Sequence, residues 1–424
     1  MRITKNEAQN QDHIKLVICV DVSKNTLDTY INQNHTIIQD HFPNNTLKIE
    51  RKLEEYHRLA NELGCMGLHI LAEPTGTYHR KLFRVARRLG HTTAYVNVES
   101  VSKLKVVESN DTGKTDQKDP RIIWLLSQLD KTLKHRILPE GYQLLREYNK
   151  IYDDYEVETV QIKNRMHRYV MDLFSDYSFK NDFLYSPSGQ GLITLYGGNP
   201  YRIVQSGKNR FMNRMRKHRK GIHNKTLEQL WNDAETSVHH ELSLKYRALI
   251  EERITELYER YLCLKERKAQ CKEKMIAIYS QLRDDDPCLP LAYKGVISAF
   301  HLARFIGETG PLSDFAHVRQ LLRYGGLNLR ERKSGTYRGL NRMSKKGRRL
   351  LRKILGQIIF PLVKKNALFG HYYHTKKACG MISYKANVAT QRKFLKMMFG
   401  WYHSNQEFDL NRVFTSESEY HLAA

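Results

Sequence analysis

The chain has 424 residues, enough for two or three domains with hydrophobic cores of their own. Its 70 lysines and arginines outnumber its 45 aspartates and glutamates, and the net charge of +25 indicates a polyanionic partner such as a nucleic acid. Six scattered cysteines without a Cys-x-x-Cys pair exclude a zinc-finger pattern, and no apolar run reaches about eighteen residues, so we expect an intracellular protein that binds no membrane.

The first predicted element is a buried strand that ends in a carboxylate. The apolar, β-branched run from Leu16 to Val20 predicts the strand, and Asp21 follows it directly. Two further runs, Leu27 to Ile31 and Thr36 to Phe42, predict strands that return beside it as an antiparallel meander.

The following segment repeats the pattern of a strand ending in an acid. After a predicted helix over residues 46–63, the run from Gly67 to Ala72 predicts a fourth strand, and Glu73 stands at its end. A basic helix from Tyr78 to Leu89 and a strand from His91 to Val98 follow. This order of elements is typical of an RNase-H-like domain, in which strand ends bring distant acids together.

Two more acids, Asp116 and Asp119, precede an apolar helix predicted over residues 121–129. We expect Pro120 to be the first helical residue, which would make Asp119 the N-cap and leave Asp116 in the preceding turn. With Asp21 and Glu73 they form a carboxylate set suited to Mg²⁺, or Mn²⁺ in its place. The alternative is four unrelated acids in a charged protein.

The middle of the chain predicts two long helices, Tyr142 to Phe174 and Leu242 to Leu282, which form either a helical hairpin or an intermolecular coiled coil. Between them, the segment from Tyr201 to Lys225 contains nine bases and no acid. Because a solvated helix face usually mixes charges, this run favours nucleic-acid binding. The predicted contacts are Arg210, Arg214, Arg216, Lys217, Arg219 and Lys220.

A second basic run lies in the last third of the chain, beyond a predicted boundary at Asp284 to Pro287. Between Arg323 and Lys353 there are twelve bases and one acid. The predicted nucleic-acid contacts are Arg330, Arg332, Lys333, Arg338, Arg342, Lys345, Lys346, Arg348 and Arg349.

Three hydroxyls of this run are candidates for a nucleophile that attacks a phosphate. Ser334 stands between Lys333 and Gly335, where a phosphate can approach closely. Ser344 is expected to cap the helix that follows, which would commit its hydroxyl to backbone N–H groups. Tyr337 would suit a tyrosine-recombinase mechanism, whose His and Arg constellation is not recognisable here, and an ordinary basic loop is the alternative for Ser334.

Together these motifs resemble the DEDD transposases of bacterial insertion sequences, a family that includes the Piv-type DNA invertases. The resemblance runs through the motifs at residues 20–24, 73–78, 114–119, 324–327, 334–335, 344–352 and 385–395. It implies a multidomain α/β plus α protein. The RuvC-like (RNase-H-like) catalytic domain would span residues 12–130, a helical coiled-coil region residues 131–285 with a basic subdomain near 176–225, and a mostly helical transposase domain residues 286–424.

The resemblance also implies a mechanism and partners. The acids Asp21, Glu73, Asp116 and Asp119 would hold the metal, and Ser334 would link covalently to DNA. The partners would be double-stranded DNA, a bridge-type non-coding RNA that guides the recombinase, and further copies of the chain in a dimer or tetramer. The expected location is the bacterial cytoplasm, at the nucleoid.

Two other readings stay open on the residues alone. A metal-dependent junction nuclease would use the four acids with water as nucleophile and leave Ser334 idle. A non-catalytic RNA-binding protein would account for the basic runs but not for the acids.

Overall fold

The structure is a computed structural model. It describes residues 15–33, 36–74, 76–108, 118–180, 182–219, 221–239, 242–330, 333–334, 337–338, 342–404 and 407–415. The chain divides into two compact units, one up to Ile137 and the other from Leu138 onward. No helix in these ranges has both the length and the apolarity needed to cross a membrane.

The first unit is built on a six-stranded sheet with the strand order β3-β2-β1-β4-β5-β6. The pairs β1–β2, β2–β3 and β5–β6 are antiparallel, whereas β1–β4 and β4–β5 are parallel. Its elements are β1 (Leu16–Val22), β2 (Thr26–Gln33), β3 (Thr36–Pro43), α1 (Thr46–Glu62), β4 (Leu68–Ala72), α2 (His79–Arg88), β5 (Thr92–Val96), α3 (Val98–Glu108), α4 (Lys118–Gln128) and β6 (Thr132–Lys134).

Strand β1 is central because both of its faces are buried. Leu16, Ile18 and Val20 point into the core that α1 and α2 cover, whereas Cys19 points into the core on the face of α4. Successive side chains of a strand alternate between faces. The near-continuous apolar run of β1 is therefore what a strand buried on both faces requires, and the predicted α/β fold class with a RuvC-like first domain is confirmed.

The second unit is organised on a pair of long helices, α5 (Glu140–Leu173) and α10 (Leu244–Asp285). They run antiparallel: the Cys271 thiol contacts the Tyr148 carbonyl oxygen at 3.7 Å, and nearer the other end Arg260 pairs with Glu158 at 3.4 Å. Within the chain, the helical hairpin is therefore the arrangement that these two helices adopt.

Two hydrophobic cores form on this helical hairpin. The first packs residues 162–173 of α5 and 250–264 of α10 against a small helical subdomain. The second packs the opposite ends of the same helices against the C-terminal helices. The subdomain contains α6 (Pro187–Tyr196), α7 (Pro200–Ser206), α8 (Lys208–His218) and α9 (Asn224–Ser237), and the C-terminal helices are α11 (Ala299–Thr309), α12 (Val318–Tyr324), α13 (Arg349–Lys365), α14 (Ala367–Ala378), α15 (Ser383–Ser404) and α16 (Arg412–Thr415).

Four two-residue strands connect α12 to α13, in a segment for which the sequence analysis predicted no strand. The outer pair, β7 (Leu329–Arg330) and β10 (Arg342–Met343), encloses the inner pair, β8 (Lys333–Ser334) and β9 (Tyr337–Arg338). Two residues separate the inner strands, and the first of them is a glycine. A two-residue loop that starts with glycine is a sequence signature of a β-hairpin, so this hairpin could have been predicted.

Candidate active site and nucleic-acid interface

The structure places Asp21 and Glu73 at neighbouring strand ends. Parallel pairing sets Val20 of β1 opposite Ala72 of β4, so the acids that follow these two residues are neighbours in the register. Side chains two residues apart in a strand point to the same face of the sheet. Asp21 is therefore on the same face as Cys19, and Glu73 on the same face as Leu71, and both of these residues lie in the core next to α4. The two carboxylates therefore lie on the side of the sheet that α4 covers.

The third acid, Asp119, belongs to helix α4, which begins earlier in the chain than predicted. The helix begins at Lys118, so Asp119 lies in its first turn and is not the N-cap. A proline is tolerated at this position because the first N–H groups of a helix have no intrahelical partner. Asp116 lies outside the described residues, so its predicted place stays a prediction.

The three described carboxylates interact electrostatically. Burial, and after it the negative charge of Asp119, raises the pKa of Asp21. Burial, and after it the charge of Asp21, raises the pKa of Glu73. A raised carboxyl pKa means that the ionised form is less favourable in the folded chain than in water, and a cation bound nearby would oppose this effect.

Sequence reasoning did not single out Lys105, which lies at this cluster. It belongs to α3, and its ammonium group pairs with the Asp119 carboxylate. Its positive charge also lowers the pKa of both Asp21 and Glu73, against the stronger effect of burial. Its position in the sequence, between Leu104 and Val106, gives no sign of this role, because its partner is fourteen residues away.

The carboxylates fit a hard divalent cation in their chemistry. Mg²⁺ and Mn²⁺ favour carboxylate oxygens, and buried acids that repel one another are the groups whose ionised state a cation stabilises. Among the described side chains, no three His, Cys, Asp or Glu residues form a ready metal cluster. The assignment of the ion to Asp21, Glu73 and Asp119 therefore rests on their chemistry and stays a prediction.

Ser334 lies in the second unit, at the inner hairpin of the four short strands. Its backbone pairs with that of Tyr337. The backbones of Lys333 and Arg338 pair beside it. The side chains of these four residues, and all of Arg332, lie outside the described part of the chain.

Two glycines join the base of this hairpin to α12. At Gly347 a Cβ atom would stand 2.4 Å from both the Gly326 nitrogen and the Tyr324 oxygen, so only glycine permits this approach. Gly326 has φ +68°, in the left-handed region that glycine favours. Gly326 and Gly347 are therefore structural requirements of the segment that carries Ser334.

The prediction that Ser344 caps α13 is wrong. The N-cap residue of α13 is Arg348, and its side chain makes no capping bond. The Ser344 hydroxyl is instead held inside the loop: it contacts the Asn328 amide oxygen at 2.6 Å and accepts a hydrogen bond from the Lys346 N–H at 3.3 Å. The hydroxyl therefore does accept from a backbone N–H, as expected, but this N–H belongs to the loop and not to the start of a helix.

Arg348, a predicted nucleic-acid contact, forms an ion pair within the protein. Its Nε and Nη2 atoms lie 2.9 and 2.8 Å from Oε2 of Glu308, whose side chain is completely buried. Glu308 belongs to the apolar helix α11, and sequence reasoning missed it. A detectable signal was the pair Arg304 and Glu308, two charges four residues apart within an otherwise apolar helix.

The other predicted contacts of this region that the structure describes are at the surface. Arg349 directly follows the paired Arg348 and is exposed. The exposed set is Arg330, Arg342, Lys345, Lys346 and Arg349.

The basic run in the small helical subdomain coincides with α8. This helix buries Phe211, Met212 and Met215 and turns its bases outward. Arg210, Arg214, Arg216, Lys217 and Arg219 are exposed, whereas Lys220 lies outside the described residues. Their assignment to nucleic-acid binding stays a prediction, supported here by a helix whose outer face is positive.

The fold and its carboxylates place the first unit among RNase-H-like domains. Comparison with known families is consistent with this class. A DEDD transposase model of the IS110 group, described as Transposase, matches residues 18–175, and a model described as the Transposase IS116/IS110/IS902 family matches residues 295–374. No curated protein matches the chain.

The chain belongs to the DEDD transposase family of insertion sequences, as its motifs predicted. One match covers the strands that carry Asp21 and Glu73, and the other covers Ser334. These domains support a function as a transposase or recombinase, an enzyme that acts on DNA.

Proposed function

We propose that this protein cuts and rejoins DNA through a covalent bond between Ser334 and a DNA phosphate, with a divalent cation at Asp21, Glu73, Asp116 and Asp119. The observation that carries this proposal is the pairing, in one chain, of a strand-end carboxylate cluster with a basic hairpin that bears a serine. Each lies within a segment that matches a transposase model. The proposed domains are residues 12–130, 131–285 and 286–424.

The acids and the bases have separate tasks in this proposal. A bound Mg²⁺ or Mn²⁺ would supply positive charge to the scissile phosphate. Asp21 and Glu73 are fixed by the central strands, and Asp119 by the first turn of α4, so the carboxylates are positioned by regular structure. The exposed bases beside the serine hairpin bind phosphates of the DNA backbone.

The reaction that we assign to Ser334 exchanges one phosphodiester for another. The serine Oγ bonds to phosphorus, the bond from phosphorus to one deoxyribose oxygen breaks, and that oxygen takes up a proton as the serine hydroxyl loses one. A hydroxyl of another strand then attacks the same phosphorus, and the Ser334 oxygen leaves and regains a proton. Strands are exchanged without net hydrolysis, which a water nucleophile would not achieve.

The test is to trap the covalent intermediate. The full chain is incubated with Mg²⁺ and nicked DNA that lacks the strand needed for rejoining, and the adduct is isolated under denaturing conditions and mapped by mass spectrometry. We expect phosphate on Ser334, no adduct with Ser334→Ala, and an adduct with the control Tyr337→Phe.

Three results would refute the assignment. Phosphate on Tyr337 or Ser344 would identify a different nucleophile. An adduct formed by Ser334→Ala would have the same meaning. Cleavage that releases free ends and never yields an adduct would identify the metal-dependent nuclease instead.

The proposal includes two partners besides DNA. A structured RNA of the bridge type would lie on basic surfaces such as α8, and further copies of the chain would associate through the helical hairpin. The hairpin supports this because α5 exposes the apolar residues Leu144, Ile151, Val157 and Val160, which a second copy would cover. Sequencing of copurified RNA and light scattering of the purified protein test the two parts separately. A monomer without RNA would contradict both.

A further inference from the structure

The turn between α14 and α15 presents apolar side chains to solvent. All nine residues from Lys377 to Lys385 are exposed. Ile382 and Tyr384 expose 64% and 58% of their surface, and Met381 exposes 38%. Three large apolar or aromatic side chains within four residues form a patch that an isolated surface residue would not.

The turn has a defined shape. Gly380 has φ +82°, and its N–H bonds to the Lys377 carbonyl oxygen at 3.0 Å. The Met381 N–H bonds to the Lys376 carbonyl oxygen at 3.2 Å, which closes the end of α14. The Ala386 N–H bonds to the Ile382 carbonyl oxygen at 3.1 Å, which starts α15. The apolar side chains therefore project from a fixed connection between two packed helices.

The surroundings of the patch are positive. Lys376, Lys377 and Lys385 flank it, and the sequence contains no aspartate or glutamate from residue 332 to residue 406. A second copy that docked by the same turn would bring these lysines against one another, and like charges oppose such contact. A polyanion instead gains affinity by displacing counterions. The charge therefore favours a nucleic acid as the occupant.

Helix α15, which begins at this turn, packs in the same hydrophobic core as α13, the helix that follows the segment carrying Ser334. The Arg352 Nη1 atom donates to the carbonyl oxygens of Gly325 and Gly347, at 2.9 and 3.2 Å, and so holds the two ends of that segment. Tyr384 interacts electrostatically with this guanidinium and opposes the lowering of the Arg352 pKa that burial causes. The Tyr384 side chain therefore lies within electrostatic range of a residue that holds the base of the serine hairpin.

We propose that the α14–α15 turn is a DNA-opening element, in which Ile382 and Tyr384 insert between base pairs while Lys377 and Lys385 contact the flanking phosphates. Apolar wedges flanked by cations unstack DNA in this way, and aromatic rings stack on the exposed bases. The inference rests on the proposed function because it places the opened bases beside the strands that Ser334 exchanges. It adds a role in DNA distortion that neither the acids nor the serine requires.

The test compares two DNA substrates in the absence of chemistry. The full chain with Ser334→Ala binds, in EDTA, a short duplex and the same duplex with two central mismatches. A wedge binds the mismatched duplex more tightly because part of the unstacking is already done. We expect this preference to fall about tenfold with Tyr384→Ala or Ile382→Ser, and to persist with Tyr384→Phe.

The chain offers a matched control. Phe360 of α13 is also exposed, at 60%, lies in the same acid-free segment, and has the Lys364 ammonium 4.3 Å from its ring centre. Phe360→Ala should keep the preference for mismatched DNA. An equal loss with Phe360→Ala would overturn the inference, because any exposed aromatic ring would then suffice.

The other outcomes separate the inference from the proposed function. DNA binding without a preference for mismatches, or a preference untouched by Tyr384→Ala, overturns the inference alone. A preference seen with mismatched RNA and not with DNA overturns it in favour of an RNA contact. Failure of the chain to bind any DNA overturns the proposed function as well.

Discussion

The ion pair between Arg348 and Glu308 predicts that Arg348→Ala destabilises the second unit. The Glu308 side chain has no exposed surface, and that of Arg348 is 33% exposed. At their separation of 2.8 Å, two unit charges attract by about 6 kcal/mol at an effective dielectric constant of about 20. Much of this attraction is offset by the cost of removing the carboxylate from water.

The cost of the substitution exceeds the net value of the pair because it leaves Glu308 buried without its counter-charge. Removing one partner of a buried pair costs about 3–5 kcal/mol. For a unit of this size, such a loss lowers the melting temperature by on the order of 10 °C. Adding Glu308→Gln to Arg348→Ala removes the stranded charge, so the double variant should be more stable than Arg348→Ala alone.

Thermal unfolding followed by circular dichroism measures this effect. The neighbouring Arg349, which is exposed, supplies the control. Arg349→Ala should change the free energy of unfolding by no more than about 0.5 kcal/mol and should weaken DNA binding. If Arg348→Ala melts like the wild type and loses DNA affinity, the reasoning is refuted, and Arg348 is a phosphate contact as its sequence context predicted.

Two further predictions concern the acids and the basic helix. Asp21→Asn should reduce the rate of DNA cleavage to less than about one-hundredth of the wild-type rate and leave DNA affinity intact. In EDTA the variant should melt at a higher temperature than the wild type, because burial and the charge of Asp119 disfavour an ionised Asp21. Mg²⁺ should stabilise the wild type more than this variant; equal stabilisation would place the ion elsewhere. Replacing Arg210, Arg214 and Lys217 of α8 with glutamine should make nucleic-acid binding less dependent on salt. The slope of log K against log salt concentration should fall by about one unit for each phosphate contact that is lost. An unchanged slope would mean that α8 faces solvent in the complex.

Local pattern was sufficient to predict the carboxylate pair at the centre of the sheet. Strand β1 reads as a continuous apolar run because both faces are buried, although the strand continues one residue beyond Asp21, to Val22. The same reasoning predicted β4 and Glu73. The prediction from local pattern failed at the start of α4. An aspartate before a proline favours the N-cap position, but Asp119 lies in the first turn of the helix.

Contacts between elements distant in sequence were beyond local pattern. Ser344 has the sequence context of a helix cap, yet its hydroxyl contacts Asn328, sixteen residues earlier. Arg348 stands in a run of bases and reads as a phosphate contact, yet its charge is directed at Glu308, forty residues earlier. In both cases the path of the chain brings a polar group within hydrogen-bonding distance, and its side chain is then committed.

The sequence by itself determined strands β1 to β5 and the two long helices, where Asp21 and Glu73 stand in the first unit, and which segments are positive. Each of these follows from periodicity, strand parity or net charge, which are properties of neighbouring residues. Only the tertiary structure decided that Lys105 lies against Asp119 and that Arg348 is paired with Glu308. The physical reason is that an ion pair or an exposed patch depends on which distant elements pack together, and a charge acts on whatever group the fold brings within a few ångströms of it.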